Sequence, residues 1–230
     1  MQKPLISLEE VGFTYRTLGG LMSVNKYQAL KSINLDILPG ETLGVIGSNG
    51  SGKSTLLKIL ARIFTPDEGN IIFNAQKISL LSLALGFDPR LTGAENAVFS
   101  SMLLGADLSE AREMVSEIID FSELGEFAGQ PVRTYSSGMR ARLGFAVALN
   151  MQADVLLIDE ALAVGDARFR AKSEKAIVEK VTSSQTVVLV SHSGAQINRL
   201  CDRAVWIEKG EIVLTGETAV VTGKYAEVNQ

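Results

Sequence analysis

The sequence is poor in several residue types that would indicate particular classes of protein. It has one cysteine, one histidine and one tryptophan in 230 residues. A single cysteine, Cys201, cannot form an internal disulfide and fits a reducing compartment, where we expect it to be a small buried apolar side chain. Basic residues number 22 against 26 acidic ones, for a formal net charge of -4. The excess of positive charge typical of a protein that binds duplex nucleic acid is therefore missing.

Long apolar runs are also missing. No stretch approaches the roughly 18 uncharged apolar residues of a membrane helix, and residues 1–5 lack the apolar core of a signal peptide. With 46% hydrophobic and 21% charged residues, the composition is that of an ordered globular chain. We therefore expect one compact core, with or without an inserted subdomain, and any membrane contact to pass through a partner.

A glycine-rich segment has the spacing G-x-x-x-x-G-K-[ST] of a phosphate-binding loop (Walker A). Glycine tolerates positive φ values and close approach, so successive N–H groups can point at one anion. The lysine adds a positive charge beside the β- and γ-phosphates, and the next hydroxyl can reach Mg²⁺. An ordinary glycine-rich turn is the alternative. The residues expected to bind nucleotide here are Gly47, Ser48, Asn49, Gly50, Ser51, Gly52, Lys53, Ser54 and Thr55.

The segments around this loop predict alternating strands and helices. A short apolar strand before it and a helix after it place the loop at a helix N-terminus, where anions are favoured. Two continuous apolar runs, 155–158 and 187–190, are typical of buried parallel strands, and the helical pattern between them predicts a right-handed crossover. The other strands are predicted within 5–15, 29–37, 42–46 and 71–73 and in a hairpin over 203–214, and the helices at 53–62, 94–103, 109–120, 167–181, from 136 and from about 217.

Polar residues follow both buried apolar runs, at the strand ends where ligands gather in an open parallel sheet. Asp159 and Glu160 follow the first run. Asp159 is predicted to hold Mg²⁺ opposite Ser54, and Glu160 to orient or deprotonate the attacking water; a solvated acidic turn is the alternative. His192 follows the second run and is predicted to contact the γ-phosphate. Its alternative is a surface or satisfied core histidine.

The segment Ser136-Ser137-Gly138-Met139 opens a predicted helix. Small hydroxyl residues and glycine at such a position are ordinary helix caps. The same helix end can also bind an anion. These residues alone do not decide between a helix cap and an anion-binding site.

Taken in chain order, the phosphate loop, residues 136–139, Leu157-Ile158-Asp159-Glu160 and Ser191-His192 resemble the nucleotide-binding domain of an ABC ATPase. The resemblance covers almost the whole chain. It implies an α/β fold, with a P-loop NTPase core, an antiparallel β subdomain and an inserted α-helical subdomain. The implied domains are 1–90 for the first part of a RecA-like core with the antiparallel β subdomain, 91–144 for the helical subdomain, and 145–230 for the second part of the core with the C-terminal hairpin and helix.

The resemblance also implies roles for individual residues. Ser136, Ser137 and Gly138 would belong to the signature motif, which meets ATP held by a second copy of the chain. Asp166 would lie in the loop that crosses the dimer interface. Tyr15 would stack on adenine, although a surface tyrosine at a strand end is the alternative. ATP and Mg²⁺ are the expected cofactors. The residues expected to act in catalysis are Lys53, Glu160 and His192.

Three longer stretches, 86–96, 130–139 and 159–166, resemble the ATPase subunits of bacterial polysaccharide exporters. This resemblance implies an ATP-hydrolysing subunit that drives a lipid-linked O-antigen, capsule or teichoic acid across the cytoplasmic membrane. The expected partners are a second copy and an integral membrane channel subunit, and not nucleic acid. The chain would be peripheral, on the cytoplasmic side of the inner membrane. The alternatives are the ATPase of another ABC exporter, for a drug or lipid, or a soluble ABC ATPase without a channel.

The sequence departs from the family pattern at three places. Residues 83–87 lack the glutamine that usually touches Mg²⁺ and water. The signature has Ser137 and Met139 in place of its usual first glycine and final glutamine. Because the chain ends at Gln230, we expect recognition of the terminal sugar to lie elsewhere.

Overall fold

The computed structural model describes residues 3–18, 24–81, 86–159 and 165–228. The chain forms two compact units. The first consists of Met1–Ile78, Asp154–Glu160 and Val181–Gln230, and the second of Ser79–Ala153 and Ala161–Lys180. The second unit therefore contains the whole of residues 91–144, for which the sequence predicts a helical subdomain.

Within the described residues, strands and helices alternate for much of the chain. The strands are β1 (Ile6–Leu18), β2 (Val24–Ile37), β3 (Thr42–Ile46), β4 (Glu68–Phe73), β5 (Ile78–Leu81), β6 (Val155–Ile158), β7 (Thr186–Val190), β8 (Arg203–Glu208) and β9 (Glu211–Gly216). The α-helices are α1 (Lys53–Leu60), α2 (Gly93–Leu103), α3 (Leu108–Glu113), α4 (Val115–Ser122), α5 (Ser137–Asn150), α6 (Ala167–Val181), α7 (Gly194–Leu200) and α8 (Thr218–Val228). Two short 3-10 helices span Gly125–Gly129 and Val132–Thr134.

Two sheets form most of the first unit. The smaller is antiparallel, with the order β2-β1-β4, and the larger has the order β5-β6-β7-β3-β8-β9. Strands β6, β7, β3 and β8 run parallel, and β9 is antiparallel to β8. Every residue of β3, β6 and β7 is buried. This burial explains why these strands read as continuous apolar runs, as the sequence predicted.

Helix α7 packs on the central strand of the larger sheet. A Cβ added to Gly44 in β3 would lie 2.8 Å from Cγ2 of Ile197 in α7, so the glycine allows a close helix-to-strand contact. Around Ile197 a buried cluster forms the core of this side of the sheet. Its members are Ile46, Ile197, Ala204, Trp206 and Val221.

The second unit is helical and has an aromatic core of its own. The rings of Phe121, Phe145 and Phe169, which come from α4, α5 and α6, lie with their centroids 5.8 to 6.1 Å apart. Edge-to-face and offset ring pairs of this kind stabilise a core beyond the area that they bury. Lys172 fixes α6 to α4, because its Nζ donates to the carbonyl of Phe121 and lies 3.0 Å from a carboxylate oxygen of Glu123.

The observed elements differ from the sequence predictions in several places, and strand β5 is one that was not predicted. Residues between the strands predicted at 5–15 and 29–37 are partly strand, since Thr17 pairs with Asn25; residues 19–23 lie outside the described residues. The helix predicted at 109–120 is two helices, α3 and α4, joined at Met114. Helix α7 was not predicted.

Cys201, expected to be fully buried, is half-buried beside the Ile197 cluster. Desolvation from this burial, together with the negative charge of Asp202, raises the pKa of its thiol to about 12. The side chain is therefore a neutral thiol at physiological pH.

A buried asparagine organises the loop before α2. Asn96 is 0% exposed, and its Nδ2 donates to the carbonyls of Asp88, Leu91 and Thr92 at 3.0 to 3.1 Å. Its Oδ1 accepts from the backbone N–H of Asp88 at 2.9 Å. One side chain thus satisfies four backbone groups of a loop that has no regular secondary structure of its own.

Replacing Asn96 by alanine should destabilise the protein by about 1–3 kcal/mol, because buried backbone groups lose their partner. Denaturant unfolding of the purified chain measures the change. Asn70→Ala is the matched control, since Asn70 is exposed on β4, and its effect should stay within about 0.5 kcal/mol. Equal stabilities for the two variants would contradict the anchoring role of Asn96.

Candidate functional site

The glycine-rich loop connects β3 to α1 in the first unit, as predicted. Gly50 and Gly52 have φ values of 80° and 113°, in the left-handed region that favours glycine. A Cβ added to Gly47 would lie 2.1 Å from the carbonyl oxygen of Ile207, and one added to Gly52 would lie 2.6 Å from that of Ala29. The loop therefore lies so close to neighbouring backbone that a side chain does not fit at either position.

Lys53 is held over the loop at the start of α1. Its side chain is 8% exposed, and Nζ donates to the carbonyls of Gly47 and Ser48 at 2.8 and 2.7 Å. Gly52 precedes the helix and supplies no side-chain cap. The first N–H groups of an α-helix have no acceptor within the helix, so this helix end can bind an anion. A buried cation and an uncapped helix N-terminus together make a site suited to phosphate.

Glu208, at the end of β8, supports the loop from the neighbouring strand. The hydroxyl of Ser48 donates to Oε1 of Glu208 at 2.7 Å, and the N–H of Gly210 donates to the carbonyl of Ser51 at 2.9 Å. Glu208 was not predicted from the sequence. It could have been found by the rule that identified Asp159, because it also follows an apolar parallel strand.

The strand register aligns the predicted metal ligands with the loop. Ile158 of β6 pairs with Leu189 of β7, and the next residue of β7, Val190, pairs with Val45 of β3. Asp159 therefore leaves the sheet at the level at which β3 passes into the phosphate loop. Asp159 is half-buried and Ser54 is exposed. A carboxylate and a hydroxyl are oxygen ligands of the type that Mg²⁺ prefers, so these residues fit that ion. Glu160 lies outside the described residues.

The turn after β7 carries His192, which is exposed. Hydrogen bonds fix the residues beside it. The N–H of Ser191 donates to the carbonyl of Val45 at 3.1 Å, and the Ser191 hydroxyl donates to Oε1 of Gln196 at 2.8 Å. His192 thus follows a strand adjacent to the one that leads into the phosphate loop, and its contact with the γ-phosphate stays a prediction.

Tyr15, the predicted adenine-stacking residue, lies beside α1. Its hydroxyl is 3.2 Å from Oγ1 of Thr55, and its half-buried ring makes edge contacts with Phe13 and Phe64 at centroid distances of 5.0 and 5.9 Å. Tyr27 of β2 lies directly opposite Tyr15 in the strand pair, and its hydroxyl donates to the carbonyl of Gly50 at 3.0 Å.

Our sequence analysis assigned no role to Tyr27. The apolar alternation that identified residues 29–37 as a strand does not extend to residue 27. Tyr27 therefore lay outside the strands predicted from the sequence. A strand pair long enough to place Tyr27 beside Tyr15 is visible only in the structure.

In the second unit, the residues of the predicted signature motif lie at the start of α5. The Ser136 hydroxyl caps the helix by accepting from the N–H of Met139 at 3.1 Å. Ser136 and Ser137 are exposed, and Gly138 is partly exposed. The helix-cap interpretation is therefore confirmed by the geometry. Binding of a nucleotide from a second copy stays a prediction.

Asp166 caps α6 in the same unit. Its Oδ1 accepts from the N–H of Phe169 at 2.9 Å, and this hydrogen bond is the main reason that the pKa of the carboxyl group is lowered. The side chain is exposed. It therefore presents a carboxylate at the surface, while its predicted place in a dimer interface stays untested.

Comparison with known proteins adds evidence that is independent of this geometry. The chain is 47% identical over 86% of its length to the O-antigen export system ATP-binding protein RfbB of Myxococcus xanthus, of which it spans 46%. It is 41% identical over 90% of its length to RfbB of Klebsiella pneumoniae, spanning 84% of that protein. It is 42% identical over 89% of its length to the teichoic acids export ATP-binding protein TagH of Listeria innocua, spanning 61%.

A solved structure has a similar fold. The dimeric post-hydrolysis state of the ATP-binding cassette MJ0796, bound to ADP and Pi, superposes with a TM-score of 0.73 at 26% identity, covering 93% of this chain and 98% of that one. None of the helices in the described part of this chain combines the length and apolar character needed to cross a bilayer. The family described as ABC transporter matches residues 30–163, more than half of the sequence. With the relatives above, this match shows that the chain belongs to the ABC transporter family.

Proposed function

We propose that this chain is the ATP-hydrolysing subunit of an exporter for a lipid-linked cell-surface polysaccharide. The observation that carries the proposal is the identity of 41% to an O-antigen export ATP-binding protein of which the chain spans 84%. The phosphate loop and Lys53 supply the matching chemistry in the first unit. ATP would be consumed in each cycle, so it is a substrate, and Mg²⁺ would be the cofactor.

The first unit would bind ATP through its phosphates. Lys53 would exchange the carbonyls of Gly47 and Ser48 for β- and γ-phosphate oxygens, and the uncapped N–H groups of α1 would bind the same anion. Ser54 and Asp159 would hold Mg²⁺, which neutralises charge on the phosphates when bound. Glu160 directly follows Asp159, so it would lie near the γ-phosphate and would orient or deprotonate the attacking water. His192 would contact the γ-phosphate.

A second copy of the chain would complete the site. The exposed Ser136, Ser137 and Gly138 at the start of α5 would meet the ATP bound by the partner, with Asp166 at the interface between the copies. Support comes from the dimeric form of the similar cassette. Two ATP molecules would then close the pair, and hydrolysis would reopen it.

The loop anchored by Asn96 would transmit this movement to an integral membrane subunit. Backbone hydrogen bonds of 2.9 Å connect Arg133 to Pro89 and Val132 to Leu91, so the loop is tied to the residues just before the signature motif. Asp88 accepts from the side chain and backbone of Arg90, and these bonds lower the pKa of its carboxyl group to about 2. Asp88 is therefore ionised at physiological pH and pairs with Arg90.

Deleting the gene in its source organism tests the transport substrate. The surface polysaccharide should disappear from the outer face while its lipid-linked precursor accumulates inside, and the wild-type gene should restore export whereas Lys53→Ala should not. Extraction and immunoblotting of the polymer measure both pools. Normal surface polysaccharide in the deletion strain, with a changed lipid or drug efflux, would overturn the assignment of the substrate.

The Lys53→Ala variant should lower ATP turnover by about 100-fold or more, because a charge that stabilises the transferring phosphate is removed. Release of inorganic phosphate from the purified chain, with its membrane subunit where that is needed for activity, measures the effect. Lys224→Ala is the control, since Lys224 is exposed on α8 of the same unit. Turnover within about threefold of wild type in Lys53→Ala would show that the loop does not bind the reacting phosphates.

The Glu160→Gln variant should retain ATP binding and lose hydrolysis, because the amide cannot accept the proton of the attacking water. The unhydrolysed ATP should hold two copies together. Light scattering of the purified variant with ATP and Mg²⁺ should give twice the monomer mass, whereas ADP should leave the mass unchanged. Hydrolysis at the wild-type rate would refute the role of Glu160 without affecting that of Lys53.

A further inference from the structure

Two tyrosines contact the phosphate-loop segment at different residues. Tyr15 and Tyr27 face each other in the β1–β2 pair, so their side chains lie on the same face of the sheet. The hydroxyl of Tyr15 contacts Thr55, at the end of the segment, and that of Tyr27 donates to the carbonyl of Gly50, near its start. Both rings are thus placed beside the site at which the phosphates are proposed to bind.

The two rings differ in how much of their surface is free. Tyr15 is half-buried and packs against Phe13 and Phe64. Tyr27 is 56% exposed, although its hydroxyl is tethered to the loop. A single exposed aromatic residue is ordinary. A ring that is tethered at its tip and more than half exposed is instead well suited to receive a planar ligand without further loss of side-chain freedom.

The phosphate loop is uncovered at Gly50, the residue whose carbonyl accepts from Tyr27. A Cβ added to Gly50 would have no heavy atom within 4 Å. By contrast, Gly47 and Gly52 are closely covered by backbone. A nucleotide whose phosphates occupy the loop extends beyond it by its ribose and base, and the open side at Gly50 leaves room for that part.

We infer that Tyr27 is a second aromatic residue of the base site and binds the nucleobase together with Tyr15. The inference rests on the proposed function, because it requires a nucleoside triphosphate in the phosphate loop. Aromatic rings bind the π-face that every base has, without reading its hydrogen-bonding edge. The ligand class is therefore a nucleoside triphosphate, and the contribution of Tyr27 should be similar for adenine and guanine.

The test compares a ligand that has a base with one that lacks it. Binding of a non-hydrolysable ATP analogue and of inorganic tripolyphosphate to the purified chain is measured by calorimetry with Mg²⁺. Tyr27→Leu should weaken binding of the ATP analogue by about tenfold or more and leave tripolyphosphate unchanged. Tyr27→Phe, which keeps the ring, should bind both ligands within about twofold of wild type. Phe127→Leu is the control, since Phe127 is 54% exposed in the second unit.

Each of the other outcomes would contradict the inference, and each would do so for a different reason. Equal losses for both ligands in Tyr27→Leu and Tyr27→Phe would show that the hydroxyl only positions the phosphate loop. Unchanged binding of the ATP analogue in Tyr27→Leu would show that the ring does not touch the base. If the wild-type chain binds neither ligand, the proposed function itself fails.

Discussion

The contact between the phosphate loop and the backbone of neighbouring strands is the constraint on which the site depends. At Gly47 and Gly52 the missing Cβ atoms would meet carbonyl oxygens, of Ile207 and Ala29, and not the ends of flexible side chains. Backbone cannot move aside without breaking strand pairing, so the curvature of the loop is set by the sheets on which it lies. This curvature turns the carbonyls of Gly47 and Ser48 toward Lys53. The position of the lysine is thus a consequence of sheet packing.

The parallel register extends the same constraint to the rest of the first unit. Because β6, β7 and β3 are paired without a shift between the aligned residues, Asp159 and Ser191 leave the sheet at the level of the phosphate loop. Strand β8 ends beside the loop as well and brings Glu208 to Ser48. The proposed catalytic arrangement would therefore depend on short, mainly apolar strands, since their aligned ends place the residues that follow them at one edge of the sheet.

The parts of the fold that could be predicted are those in which the pattern of apolar residues in the sequence follows the pattern of buried residues in the structure. Strands β3 and β6 and helix α6 match the predicted 42–46, 155–158 and 167–181 because their apolar patterns coincide with their burial. The pairing of Thr17 with Asn25 depends on backbone hydrogen bonds between polar residues, which leave no apolar pattern. The break at Met114 was also hidden, since apolar periodicity can continue across two consecutive helices.

The same division applies to the site. Lys53 could be predicted from motif spacing, and Asp159 from its place after an apolar strand. The position of Tyr27 depends on a contact with Gly50, which is distant in the chain, and that of Asn96 on contacts with a loop that has no sequence pattern. Ser136 shows why residue type alone left two interpretations open. A serine hydroxyl has one hydrogen to donate and two lone pairs. Capping α5 uses one lone pair, for the N–H of Met139. The hydrogen is left to donate to an anion, so helix capping and phosphate binding are compatible roles for this side chain.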